Sequence, residues 1–193
     1  MKRVLFSSFA ILAAAAFLPG LAAAQEVSQQ RIVSGLGKLT AAAPLVDIEV
    51  LRQEAMNGAG KQMSGLPNWS KIAQLPQMVV EINFVNDSVA IEPQSYRTLG
   101  LLADALHHPD LWAYKFLVIG HASATGDAKH NFELSEQRAA AIKEALSTTF
   151  AVEPERLYAV GVGEYFPIDG SNADAANNRR VQLVNLGVFT HKP

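Results

Sequence analysis

"GHASATGDAKHNFELSEQRAAAIKEAL", Gly120 to Leu146, is the stretch whose reading decides the fold. It leaves an apolar run, crosses a short polar loop and enters a helix. Asp127, after Gly126, is a good N-cap, and Leu134, Ile142, Leu146 and Phe150 then form an apolar stripe at helical spacing. Arg138 falls midway between Leu134 and Ile142, at the edge of the face expected to be buried. Asn131 and Arg138 project from nearly the same side of the helix. Helix side chains lean toward the N-terminus, which directs Arg138 back to the loop and to the end of the preceding strand. With the first-turn amides and the positive end of the helix dipole, a guanidinium there makes a small carboxylate site. Spacing alone leaves a second reading open, in which Arg138 pairs with an acid of its own chain or lies along the core edge.

Working outward, "KFLVIGHA" (115–122) is apolar on both faces, as a central strand would be. Upstream, "PQSYRTLGLLADALHH" opens on a proline and sets Tyr96, Leu99, Leu102, Ala103 and Leu106 at helical spacing. "MVVEINF" (78–84) alternates, with Val80, Ile82 and Phe84 on one face and Glu81 and Asn83 on the other. Downstream, "RLYAVGVGEY" reads as a third strand, and "VQLVNLGV" (181–188) as a last one after a polar loop. This order requires crossovers, so an α+β fold is expected, with a mixed, partly parallel sheet and helices packed on it.

The N-terminus reads as a leader. Lys2 and Arg3 precede a short apolar core, Pro19-Gly20 break it, and "LAAAQ" offers cleavage after about Ala24. Residues 1–24 are therefore expected to be a signal peptide and the mature chain to be exported to the periplasm. Without Lys2 and Arg3 the chain carries 14 bases and 18 acids, net −4, which argues against nucleic acid as a partner. Cysteine is absent, so the sequence offers no site for a lipid-modified cysteine. Residues 25–76 are punctuated by Gly and Pro, with one amphipathic helix expected around "LVDIEVLRQEAM" (Leu45, Ile48, Leu51 and Ala55 on one side). They read as a partly helical spacer or a docking segment for an envelope partner protein.

No catalytic constellation emerges. His107-His108-Pro109-Asp110 sits where a helix should end; adjacent histidines diverge, and no third metal ligand is near in sequence. His121, Ser123 and Asp127 share one loop without a nucleophile elbow, and "GVGE" lacks the spacing of a phosphate loop. Glu153 and Glu155 flank Pro154 and read as solvated. The expectation is a protein that is not an enzyme and has neither cofactor nor metal.

Several motifs occur together in order: "INF" (82–84), "GHASATG" (120–126), "NFELSEQRA" (131–139), "GVGEYFP" (161–167) and "NRRV" (178–181). Over about residues 78–188 the chain thereby resembles the C-terminal peptidoglycan-binding domain of outer membrane protein A. Peptidoglycan-associated lipoproteins and flagellar stator anchors share that domain. The resemblance implies an OmpA-like β-α-β-α-β-β sandwich over residues 77–190, which binds the diaminopimelate of wall stem peptides without covalent chemistry. It implies that Arg138 grips the ligand carboxylate, assisted by helix-start amides and Asn131, with Leu134 close to the entrance. The family's Thr and Asp positions hold Ala122 and Ser123 here. A carboxylate facing the ligand ammonium is worth about 1.5–3 kcal/mol, so Ser123 predicts binding about 10- to 100-fold weaker unless Asp127 or Glu133 supplies the charge. Gly161, Gly163 and Pro167 are expected to shape a turn, and Glu164 to pair with Arg179 or Arg180. The expected function is wall binding at the periplasmic side, either held to the outer membrane by a partner through residues 25–76 or simply coating the wall. The competing expectation is a protein-interaction domain that lost wall binding with the aspartate.

Overall fold

The computed structural model describes residues 27–37, 39, 46–58, 63–168, 172, 174–175 and 178–188. The expected leader, Leu45, and residues 169–171, 173 and 176–177 of the loop before the last strand lie outside them. Its centre is β2 (Tyr114–Gly120), in which Phe116 and Val118 enter one core and Leu117 and Ile119 another. A strand apolar on both faces needs a layer on each side. It has both.

The sheet runs β1 (Gln77–Val80), β4 (Val181–Val188), β2, β3 (Leu157–Gly161). β4 is antiparallel to both β1 and β2, and β2 pairs in parallel with β3. The mixed α+β sheet expected from the strand–helix order is therefore present. The last strand lies second in the sheet, between β1 and β2. The first strand is shorter than its alternation suggests: pairing ends at Val80, although Ile82 stays buried and Glu81 exposed.

On one face lie α4 (Ser95–Leu106) and α5 (Ala128–Thr148), whose Leu99, Leu102, Leu106, Ile142 and Leu146 share a core with Phe116 and Leu183. Tyr96, expected on the buried side of α4, is 41% exposed. Ser95 is buried in its place because its Oγ accepts the Asn83 N–H at 2.8 Å, a backbone donor that apolar packing would leave unpaired. The buried stripe of α5 runs through Phe132, Ser135, Ala139, Ile142 and Leu146, which moves Leu134 and Arg138 to its edge. Small residues occupy the middle of that stripe because the helix axis passes close to the sheet. A Cβ on Gly120 would stand 2.3 Å from the Ser135 carbonyl oxygen, and one on Gly161 would stand 2.1 Å from the Glu136 nitrogen. Both are backbone atoms, so only glycine permits this approach.

Residues 25–76, expected as a partly helical spacer or docking segment, pack against the sheet domain where they are described. α1 (Gln29–Leu36) buries Ile32 and Leu36 against the α4 side of the core, and the Asn185 Nδ2 of β4 donates to the Leu36 carbonyl at 2.7 Å. α2 (Ile48–Asn57) and the single turn α3 (Trp69–Ile72) cover the opposite face of the sheet. Leu51, Ala55, Trp69 and Ile72 pack there with Leu117, Ile119, Val184 and Leu186. The apolar second face of β2 and β4 accounts for this: left bare, it would expose a continuous hydrophobic surface. The helix expected around residues 45–56 is thus α2, and it carries a packing role.

At the α4–β2 corner, buried Arg156 donates to the carbonyls of Tyr114, Leu106 and Leu111 and pairs with Glu153 at 3.1 Å. Glu153 is exposed, as expected, and has this partner as well. His107 caps α4, and its Nε2 lies 3.3 Å from the Ala151 carbonyl, in keeping with a helix-end role.

Trp69 is fully buried, with its indole N–H on the Leu51 carbonyl at 2.9 Å. Trp69→Ala should cost about 3–5 kcal/mol in denaturant unfolding. A change under about 0.5 kcal/mol, as at an ordinary surface position, would mean that α2 and α3 contribute no core.

Candidate functional site

The site opens where β1 parts from β4. The two strands pair as far as Val80 and Val181; residues 81–83 then leave the ladder, and Phe84 bridges Ile91 across a turn. A cavity of about 660 Å³ lies in the opening, walled by residues 79–84, by the Gly120–Ser123 segment after β2, by α5 and by residues 179–181.

Five of the six residues expected at the site meet here: Ala122, Ser123, Asn131, Leu134 and Arg138 all line the cavity. Asp127 does not. It is exposed and caps α5, accepting the His130 N–H at 2.9 Å. Glu133 is exposed as well and faces Lys129 at 3.8 Å. Neither lines the cavity, so neither brings the negative charge there that was expected of it.

Arg138 reaches less toward the loop than its position suggests. Its Nε donates to the Ser88 carbonyl at 2.9 Å, and its guanidinium carbon lies 4.9 Å from the centre of the Phe84 ring. The turn between β1 and α4 thus holds it from the far side, and both Nη groups lack a hydrogen-bond partner among the described residues. Burial lowers the Arg138 pKa; nearby Asp87 opposes that shift and Arg179 adds to it.

Asn131 is committed to the loop. Its amide nitrogen donates to the carbonyls of Ser123 (3.2 Å) and Thr125 (3.0 Å) and to Glu164 Oε2 (2.8 Å). Its role here is to fix the loop's shape, with no N–H left over for a ligand. This also corrects the expected pairing of Glu164 with an arginine. The carboxylate is taken by Asn131, and Arg180 is held by the carbonyls of Phe166 (2.9 Å) and Asn178 (3.3 Å).

Three residues were not singled out for the site from the sequence. Arg179 enters the cavity and donates from Nη1 to Ser123 Oγ at 3.2 Å. Arg180 is buried, and desolvation brings its pKa down to about 10. His121, 4% exposed, bonds through Nε2 to Gln182 Oε1 at 3.1 Å and leaves Nδ1 unpaired. The "NRR" and "GH" residue types pointed to them, but nothing local indicated which way they face.

Three guanidiniums therefore line one cavity, and none of them makes an ion pair with a carboxylate among the described residues. The two acids of the lining, Glu81 and Asp87, are exposed, and Asp87 bonds to His130 Nε2 at 2.7 Å. Such a pocket is built to receive an anion. Among the described residues no group of three or more His, Asp or Glu could hold a metal.

Burial, followed by the charge of Arg180, pushes the His121 pKa well below its ordinary 6.5. The folded protein thus holds this imidazole neutral while the unfolded chain protonates it below pH 6.5. Its contribution to stability should be complete above pH 6.5 and fall below it by up to about 1.4 kcal/mol per pH unit. Replacing His121 with Gln should flatten the acid side of the stability–pH curve by that slope, whatever it does to the level. An unchanged slope would mean that the imidazole is charged in the fold.

Comparison with known proteins agrees with the motif pattern. The chain is 33% identical over 114 residues to outer membrane porin F of Pseudomonas fluorescens, covering 58% of this chain and 34% of that protein. It is 32% identical over 104 residues to outer membrane protein A of Bordetella avium, with 52% of each covered. The chain thus spans about a third to a half of the length of these curated relatives. The crystal structure of the peptidoglycan-associated lipoprotein from Burkholderia pseudomallei aligns with a TM-score of 0.46 and 28% identity, over 58% of this chain and 91% of that one. The profile of the OmpA family matches residues 83–180, which include Ser123, Arg138 and Arg179 of the cavity, and the chain belongs to that family.

Proposed function

We propose that the chain is a non-catalytic peptidoglycan-binding protein of the bacterial envelope that takes the carboxylate of a stem-peptide diaminopimelate between Arg138 and Arg179. The observation that carries this is the pair of cavity-lining guanidiniums without a carboxylate partner, at positions that fit the family's wall-binding motifs. A carboxylate between them would relieve the mutual repulsion that Arg179 imposes on Arg138 and would complete the free Nη groups. Membership of the OmpA family, with outer membrane proteins among the curated relatives, supports the same envelope setting.

On this reading the protein works in the periplasm against the wall, and attachment to the outer membrane comes through a partner. Such a partner would have to use the outer side of α2, where Val50 and Met56 are exposed, because Leu51 and Ala55 are buried under the sheet. A specific observation favours a second reading: Ser123 stands in the family's acid position and is already bonded by Arg179, as it would be in an interaction domain that no longer binds the wall.

Sedimentation of the purified chain with diaminopimelate-type sacculi separates the two. The wild type should be retained, and Arg138→Ala should lose about 10- to 100-fold in affinity while its thermal melting still reports a folded protein. No retention of the wild type would sink wall binding in favour of the interaction domain. Equal retention of both would move the site elsewhere.

A further inference from the structure

The replacement of an acid by Ser123 is easily read as a loss, yet the atoms around it describe a different preference. We propose that this cavity selects diaminopimelate whose side-chain amine is acylated, as in a peptide cross-link, over diaminopimelate with a free amine. The inference rests on the wall-binding reading above.

The terminal carbon of the ligand side chain carries a carboxylate and a nitrogen. Arg138 and Ser123 line the same cavity, and the family resemblance puts the carboxylate on Arg138 and the nitrogen at Ser123. What it meets there is a hydroxyl 2% exposed, whose oxygen accepts from Arg179 Nη1 at 3.2 Å and lies 3.1 Å from Thr125 Oγ1. A free ammonium would face a guanidinium of like charge, with nothing anionic to receive it. The acids of the lining do not fill that place, since Asp87 is held by His130 on the β1–α4 turn and Glu81 is exposed on the first-strand wall.

Acylation reverses each of these disadvantages. The nitrogen becomes neutral, its N–H can be given to a hydroxyl oxygen, and the new carbonyl oxygen is an acceptor for Arg179. The carboxylate, which remains charged, keeps Arg138 and Arg179 as its partners. A cavity of about 660 Å³ also has room for peptide beyond the amine. Ser123 and Arg179 together thus act as specificity-determining residues for the neutral, acylated form.

The test uses two synthetic stem tripeptides ending in diaminopimelate, one with the side-chain amine free and one with it acetylated, titrated calorimetrically into the full chain. The acetylated peptide should bind tighter by about tenfold or more, the scale of a single charge-assisted hydrogen bond. Ser123→Asp should reverse the order; Ser123→Ala, which keeps Arg179 and adds no bulk, should preserve it even if the Asp variant does not fold. Equal affinities, or tighter binding of the free amine by the wild type, overturn the proposal while leaving wall binding in place. Failure of both peptides with sacculi still retained overturns it too, by moving the site. If sacculi are not retained either, the wall-binding reading itself has failed.

Discussion

The close seating of α5 over the C-terminal ends of β2 and β3 is the constraint on which the rest depends. Gly120 and Gly161 let the helix backbone approach to distances that no side chain would allow. That contact then generates others. Ser135 Oγ accepts the Gly163 N–H at 2.8 Å, Glu136 accepts the Gly161 N–H, and the Ala122 N–H is given to the Gly163 carbonyl. Asn131 closes the set by tying the loop before α5 to Glu164. Motifs scattered along the chain are in this way one bonded unit, and most of their polar residues are consumed in building it.

What the unit leaves over is positive charge. With Asn131 spent on the loop and Asp127 on the helix cap, the arginines are the side chains that bring both positive charge and uncommitted donors to the cavity. Burial of Arg138 and Arg180 in a wall with little negative charge is unfavourable by itself. An anion entering the cavity would offset that cost, whichever ligand supplies it.

Residues 27–76 alter the architecture more than the site. They supply the second layer over the sheet through Trp69, Leu51 and Ile72, and they anchor α1 by the bond from Asn185. Little in this segment announces that role: glycines and prolines interrupt its periodic runs, so the apolar residues that become core are separated by turns. The hint lies elsewhere, in "KFLVIGHA" and "VQLVNLGV", whose two apolar faces require two covers.

The elements themselves were legible. Hydrophobic periodicity located all four strands and the two long helices, since burial of one face is a local pattern of period 2 or 3.6. Of the six site residues that the motifs picked out, five line the cavity. The placement of β4 between β1 and β2, the burial of Ser95 in place of Tyr96, and the entry of Arg179 at Ser123 were decided only by tertiary structure. Each depends on a partner far away in sequence: a strand edge, an unpaired backbone amide, a cavity wall. Local spacing records which face a residue takes, but the group it will meet across that face is set by packing.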